Sequence, residues 1–137
     1  MSREEVLYFI FQYHYHNNMT RVKHILIVDD NKDLLLMLGT LLKTKGYQVS
    51  TKEDTNDIEG VIRNIMPDII MMDMLLSGAD GREICKSVKA DPALASIPLL
   101  MLSAYPQAVK DCMEAGADGF IEKPFDMKHL LQTIADL

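Results

Sequence analysis

The sequence is poor in cysteine and has no long apolar run. Cys85 and Cys112 are the two cysteines, too few for a disulfide framework and not spaced like metal ligands, so we expect reduced, partly buried thiols. The longest apolar runs, such as residues 34–38, are far shorter than the roughly 20 residues that span a bilayer. The apolar stretch near the N-terminus follows two acidic residues and lacks a cleavage site. We therefore expect a cytoplasmic protein with no membrane association.

Positive charge is also scarce. The chain has 14 Lys and Arg against 20 Asp and Glu, and the net charge of -6 repels phosphate backbones. We find no local basic patch, so we expect no direct binding of nucleic acid. A chain of 137 residues, of which 48% are hydrophobic and 25% charged, matches one globular domain. We expect no second, output domain.

From residue 24 onward, short β-type runs alternate five times with helix-type runs. The helical periodicity is plainest at Ile58, Val61, Ile62 and Ile65. Strands that alternate with helices indicate right-handed βαβ crossovers and a parallel sheet covered on both faces. The pattern predicts a three-layer α/β sandwich of the (βα)5 type. The predicted strands are residues 24–29, 47–51, 68–73, 98–103 and 119–123.

Polar residues stand at the ends of four of these strands. Asp29 and Asp30 close the first strand and Asp73 closes the third. In an open parallel sheet these ends meet at one edge, where three converging carboxylates repel one another unless a cation neutralises them. Ligands that are all hard oxygens select Mg²⁺, or Mn²⁺ in its place, over zinc.

Ser103 and Lys123 end the fourth and fifth strands, and their hydroxyl and positive charge suit the stabilisation of a phosphoryl group. Asp73 is then the natural nucleophile. Each residue taken alone has a simpler interpretation, as a helix cap, a turn residue or a surface lysine. Four independent strand ends with the right chemistry favour the joint, functional interpretation.

Four sequence blocks, IVDDN, MMDMLLSGADG, LMLSAY and EKPF, resemble the motifs of response-regulator receiver domains. The resemblance covers about residues 20–137, and the family's glycine eight residues after the acceptor is present as Gly81. It implies a flavodoxin-like fold with strand order 2-1-3-4-5. It also implies that Asp73 is phosphorylated, and that Asp30, Asp73 and the backbone carbonyl of Leu75 ligate Mg²⁺ directly while Asp29 acts through water.

The resemblance assigns four further roles. Lys123 pairs with the acceptor or with the phosphoryl group, and Ser103 and the backbone N–H of Ala104 bind phosphoryl oxygens. Phe120 takes the place of the switch aromatic that turns inward when Ser103 moves. A cis peptide bond between Lys123 and Pro124 is common in the family.

The implied function is a signalling switch and not an enzyme. A phosphohistidine of a histidine kinase or phosphotransfer protein, or a small acyl phosphate, donates to Asp73 and changes the surface of residues 106–137, which another protein recognises. One alternative is a receiver-like binding module that is not phosphorylated. Another is an enzyme of the flavodoxin-like or phosphatase type, but the sequence lacks the phosphate-binding loop of the first and the additional catalytic acid of the second.

Three positions, in two segments, depart from the family's usual pattern. Leu76 and Ser77 stand where the family often has Met-Pro, and we expect Ser77-Gly78 to make that loop more flexible. Phe120 replaces a more usual tyrosine, so the switch lacks a phenolic hydrogen bond. Neither change removes a reacting group.

The resemblance does not explain residues 1–19, an N-terminal extension that holds five of the nine aromatic residues. Ser2 and Glu5 form a capping-box pattern, and Val6, Phe9, Ile10 and Tyr13 fit one helical face, although the same residues also alternate as in a strand. We expect a helix. Exposed aromatics here predict self-association, for example as a homodimer. His14 and His16 are either a metal-binding pair on a strand or, as we favour, surface residues.

Overall fold

A computed structural model describes the backbone of residues 1–137 and the side chains of residues 1–11 and 21–137. Helices alternate with strands along the chain after an N-terminal helix. The helices are α1 (Arg3–Thr20), α2 (Lys32–Thr44), α3 (Ile58–Ile65), α4 (Gly81–Ala90), α5 (Val109–Glu114) and α6 (Met127–Ala135). The strands are β1 (His24–Val28), β2 (Gln48–Lys52), β3 (Ile69–Asp73), β4 (Leu75–Leu76), β5 (Ala79–Asp80), β6 (Leu99–Ser103) and β7 (Gly119–Glu122).

The five longer strands form one parallel sheet in the order β2-β1-β3-β6-β7. These strands correspond to the five predicted from sequence, so the predicted order 2-1-3-4-5 and the α/β class are confirmed. Strands β1, β3 and β6 occupy the centre, and β6 is buried along its whole length. Burial on both faces explains why these strands are almost wholly apolar.

The sheet separates two apolar cores, one on each face. Because side chains alternate along a strand, Ile25 and Ile27 of β1 point into one core and Leu26 and Val28 into the other. The first core is closed by α2 and α6, and the second by α3, α4 and α5. This is the three-layer sandwich that the sequence predicted.

The helix ends follow local sequence signals. The side chain of Asn31 accepts a hydrogen bond from Leu34 N at 3.1 Å and caps α2, whose end is followed by Gly46 with a φ of 95°. Asp126 caps α6, since its carboxylate accepts from Lys128 N at 2.7 Å. Pro106 begins a short 3₁₀ turn, Pro106–Ala108, that leads directly into α5.

A small hairpin follows the third long strand and was not predicted. Strands β4 and β5 pair antiparallel, with Leu75 opposite Asp80 and Leu76 opposite Ala79. Ser77 and Gly78 form the two-residue turn, in which Gly78 has a φ of 75° that glycine adopts without steric cost. The loop where we expected flexibility therefore has a paired backbone conformation.

The N-terminal segment is helical, which decides between the two alternatives that its sequence left open. The capping box is formed: Glu5 N donates to Ser2 Oγ at 3.1 Å, and Ser2 N donates to Glu5 Oε2 at 3.4 Å. Val6, Phe9 and Ile10 are 40%, 64% and 45% exposed, so this part of the predicted apolar face is open. The side chains of residues 12–20 lie outside the described set, and the prediction for His14 and His16 with them.

Within the described part of the chain, none of the helices is both long enough and apolar enough to cross a membrane.

Candidate metal and phosphoryl site

The polar residues predicted at the strand ends come together at one edge of the sheet. Asp29 and Asp30 directly follow β1, Asp73 is the last residue of β3, and Ser103 is the last residue of β6. Lys123 directly follows β7, and its backbone N–H donates to the carbonyl of Ser103 at 2.8 Å. The parallel register therefore brings residues from four strands to the same edge.

Three carboxylates form a group that can hold a metal ion. Asp29, Asp30 and Asp73 each offer one oxygen, and these three oxygens all lie within 4.8 Å of one another. Asp29 is buried, Asp73 is partly buried and Asp30 is exposed, so the group opens to solvent on one side. A cluster of hard oxygen ligands with an open side fits Mg²⁺, which keeps several waters when a protein binds it.

Lys123 balances part of this negative charge. Its Nζ lies 3.0 Å from Asp29 Oδ2 and 3.3 Å from Asp73 Oδ2. Burial alone would lower the pKa of Lys123, but the hydrogen bond that Lys123 donates to Asp29 and the charges of Asp73 and Asp29 outweigh it, and the pKa lies above its ordinary value. The lysine is therefore a fixed positive charge beside the predicted acceptor.

The positive charge of Lys123 does not fully offset the effects of burial and of Asp29 on the carboxyl of Asp73. Burial raises the pKa of Asp73, the charge of Lys123 opposes that rise, and the nearby Asp29 adds to it, so the pKa lies above the ordinary value. The other side-chain oxygen, Oδ1, accepts a long hydrogen bond of 3.4 Å from Leu75 N. An additional cation at this group stabilises the ionised form of Asp73, which is the nucleophilic form.

Asp30 has a different partner from the other two carboxylates. Both the backbone N–H and the hydroxyl of Ser77 donate to Asp30 Oδ2, at 3.0 Å and 2.7 Å. The hydroxyl contact is the main reason why the pKa of Asp30 lies below its usual range. Sequence reasoning missed this contact, although the polar residue in place of the family's usual proline was visible.

Ser103, the last residue of β6, is buried. Its Oγ accepts a hydrogen bond from Tyr105 N at 3.0 Å, which folds the chain back after β6. The next residue, Ala104, is exposed. A depression of about 410 Å³ beside the carboxylates is lined by Asn31, Leu34, Met37, Ala104, Lys123, Pro124 and Phe125.

Phe120 and the peptide bond before Pro124 are the two remaining features that the family resemblance implied. Phe120 is partly buried and packs against the core closed by α3, α4 and α5. The bond between Lys123 and Pro124 is cis, as the resemblance implied.

Gly81 shows why the family's glycine is required after the acceptor. A Cβ on Gly81 would lie 2.6 Å from the backbone oxygen of Asp73, closer than real Cβ contacts, and 3.1 Å from Met74 Cα, which is tighter than most. Gly81 N also donates to the carbonyl of Met74 at 2.7 Å. The absence of a side chain lets α4 begin directly against the end of β3.

Comparisons with known proteins agree with this fold. The sequence model of the family described as "Response regulator receiver domain" matches residues 25–135. The phosphate regulon transcriptional regulatory protein PhoB of Pseudomonas aeruginosa is 35% identical over 114 residues, which are 82% of this chain and 50% of PhoB. The chain spans about half the length of the curated relatives it matches.

Two solved structures illustrate the structural similarity. A putative response regulator from Chloroflexus aurantiacus is 31% identical with a TM-score of 0.80, over 85% of this chain and 97% of that one. The response regulator TrrA of Thermotoga maritima, solved with Mg²⁺ and BeF, is 23% identical with a TM-score of 0.76, over 84% of this chain and 98% of TrrA. At that identity TrrA supports the fold alone.

A three-layer sandwich with an acidic group at the ends of two central strands, and a lysine after the neighbouring edge strand β7, defines a receiver-type domain. The chain belongs to the response-regulator receiver family of two-component signalling. Receiver domains are signalling phosphoacceptors and not enzymes in the usual sense.

Proposed function

We propose that Asp73 accepts a phosphoryl group from a phosphohistidine of a histidine kinase or phosphotransfer protein, or from a small acyl phosphate. The observation that carries the proposal is the geometry at Asp73: a partly buried carboxylate at a strand end, 3.3 Å from Lys123 and grouped with two further carboxylates. In the transfer, an oxygen of Asp73 bonds to phosphorus while the bond from phosphorus to the donor's nitrogen or oxygen breaks. The donor keeps that electron pair.

The other carboxylates of the site would bind a metal ion together with Asp73. Asp29, Asp30, Asp73 and the backbone carbonyl of Leu75 would hold Mg²⁺ or Mn²⁺, directly or through water. When bound, the ion neutralises the carboxylates and the oxygens of the incoming phosphoryl group.

Lys123 supplies a fixed positive charge for those oxygens, and the hydroxyl of Ser103 and the N–H of Ala104 would donate to them. The hydroxyl of Ser103 accepts a hydrogen bond from Tyr105 N, and a hydroxyl that accepts can still donate its own proton.

The output would be a change in the surface built by α5, β7 and α6. Phe120 in β7 is partly buried, and Ser103 lies beside this strand in the sheet, since Ser103 pairs in register with Glu122. A movement of Ser103 toward the phosphoryl group frees space that Phe120 can enter, which alters the surface that another protein recognises. We propose a cytoplasmic protein that signals by protein contact and not by direct nucleic-acid binding, with residues 1–19 as an extension and residues 20–137 as the receiver domain.

Phosphorylation by a small donor tests the proposal. Acetyl phosphate or phosphoramidate with Mg²⁺ should add the mass of one phosphoryl group to the wild type, and none to Asp73→Asn. Asp136→Asn is the matched control, because it removes the same charge from an exposed residue at the end of α6 that is not part of the carboxylate group. Equal labelling of all three proteins would refute the assignment of Asp73. No labelling of any would favour the alternative, a receiver-like binding module that is not phosphorylated.

A further inference from the structure

Ser77 is the feature of this site that neither the family pattern nor the proposed function explains. It stands at the first turn position of the β4–β5 hairpin, 47 residues from Asp30 in the sequence. Both of its donors, the backbone N–H and the hydroxyl, point to the same oxygen of Asp30. A proline at this position, which is the family's more usual residue, has neither donor.

Two donors on one oxygen limit how the carboxylate can bind a cation. A carboxylate oxygen has two lone-pair sites, and the contacts of 3.0 Å and 2.7 Å from Ser77 occupy both sites of Oδ2. A metal ion then meets Asp30 through Oδ1 alone. The carboxylate is also held in one orientation although Asp30 is exposed, so little rotational freedom remains to be lost when an ion binds.

Binding through a single oxygen distinguishes between cations of different size. Mg²⁺ takes six ligands at about 2.0–2.1 Å in near-octahedral geometry and retains water, whereas Ca²⁺ takes six to eight ligands at about 2.3–2.6 Å and often uses both oxygens of a carboxylate. A carboxylate with one oxygen already occupied suits the smaller ion. It removes one of the two ligand atoms that Ca²⁺ would otherwise gain from Asp30.

We infer that Ser77 is a positioning residue that fixes Asp30 as a ligand through one oxygen and thereby favours Mg²⁺ over Ca²⁺ at this site. The inference rests on the proposed Mg²⁺ site and concerns its selectivity, not whether the protein is phosphorylated. Hydrogen-bonded partners of metal ligands typically affect metal affinity by about 10- to 100-fold.

The test measures metal binding by the unphosphorylated protein. Calorimetric titrations with Mg²⁺ and with Ca²⁺ are compared for the wild type, Ser77→Ala, Ser77→Pro and Ser77→Thr. Ser77→Ala removes the hydroxyl donor, and Ser77→Pro removes both donors with a residue that turns favour at this position. Ser77→Thr retains both donors and should behave as the wild type within about 2-fold.

We expect Ser77→Ala to weaken Mg²⁺ binding by about 10-fold and Ser77→Pro by more, with a smaller change for Ca²⁺, so that the ratio of the two affinities falls. Thermal unfolding in metal-free buffer identifies a variant whose fold is damaged. Unchanged or tighter Mg²⁺ binding by Ser77→Ala would overturn the inference. An equal loss for both ions would overturn the selectivity. Failure of the wild type itself to bind Mg²⁺ would instead refute the proposed function.

Discussion

Removal of the Lys123 charge should destabilise the metal-free protein. The Nζ of Lys123 contacts Asp29 at 3.0 Å and Asp73 at 3.3 Å, and the side chains of these carboxylates are only 1% and 15% exposed. Lys123→Met retains much of the apolar stem but leaves two neighbouring, poorly hydrated negative charges. Loss of one partner from a fully buried ion pair typically costs about 3–5 kcal/mol.

The expected cost is smaller than that range, because the lysine side chain is 22% exposed and water screens its charge. We expect a loss of about 2 kcal/mol at neutral pH, comparable with hydrogen bonds to charged groups, which corresponds to a fall in the unfolding temperature of about 8 °C for a domain of this size. The loss should be smaller at pH 5 than at pH 8. Without Lys123 the carboxyl of Asp73 has a still higher pKa in the folded state, and uptake of a proton relieves the repulsion.

The assay is thermal unfolding in buffer that contains a chelator, followed by the same measurement at increasing Mg²⁺. Lys128→Met is the matched control: Lys128 is exposed, and its loss should change stability by less than about 0.5 kcal/mol. Mg²⁺ should reduce the difference between the variants, because the ion supplies positive charge to the same carboxylates. If Lys123→Met and Lys128→Met unfold at the same temperature without metal, Lys123 does not balance these charges.

Three further outcomes are expected. Burial raises the pKa of Asp73 in the folded protein above its ordinary value of 3.8, so ionisation of this carboxyl lowers the stability of the fold as the pH rises. Asp73→Asn should therefore unfold at a higher temperature than the wild type in metal-free buffer at neutral pH. A lower unfolding temperature would contradict the direction of the pKa shift. Leu75 and Tyr105 stand two residues after Asp73 and Ser103, and their side chains neither orient nor activate a water that could hydrolyse the phosphoryl group. The double variant Leu75→Asn, Tyr105→Glu should therefore lose the phosphoryl group faster than the wild type after removal of the donor. Equal rates of loss would show that these two residues do not control the access of water. A chain shortened to begin at Met19 should still be phosphorylated but should self-associate less in sedimentation experiments; an unchanged oligomeric state would exclude α1 as an association surface.

The sheet and the strand-end residues could be predicted from sequence because both depend on short-range patterns. Runs such as residues 69–72 are apolar because both faces of β3 are covered, and the polar residues follow at the point where the strand leaves the core. The order of the strands followed from the family resemblance.

Other features depend on contacts between distant segments, which the local pattern does not determine. The β4–β5 hairpin has two residues in each strand, too few for a periodicity to be visible. Asp29 and Asp30 are chemically identical neighbours, yet one is buried beside Lys123 and the other is exposed and bound by Ser77. The partner of Asp30 comes from the turn at Ser77, 47 residues later in the chain.

The sequence separations within the site have a consequence for how the protein is made. Lys123 is 94 residues from Asp29 and 50 residues from Asp73, and neither contact exists until β7 has joined the sheet. A chain still being synthesised, or one whose last strand has detached, carries the proposed acceptor Asp73 without Lys123 beside it. At the proposed site, Mg²⁺ would stabilise only the complete fold, by mass action. Under the proposed function, competence to receive a phosphoryl group therefore depends on the complete sheet.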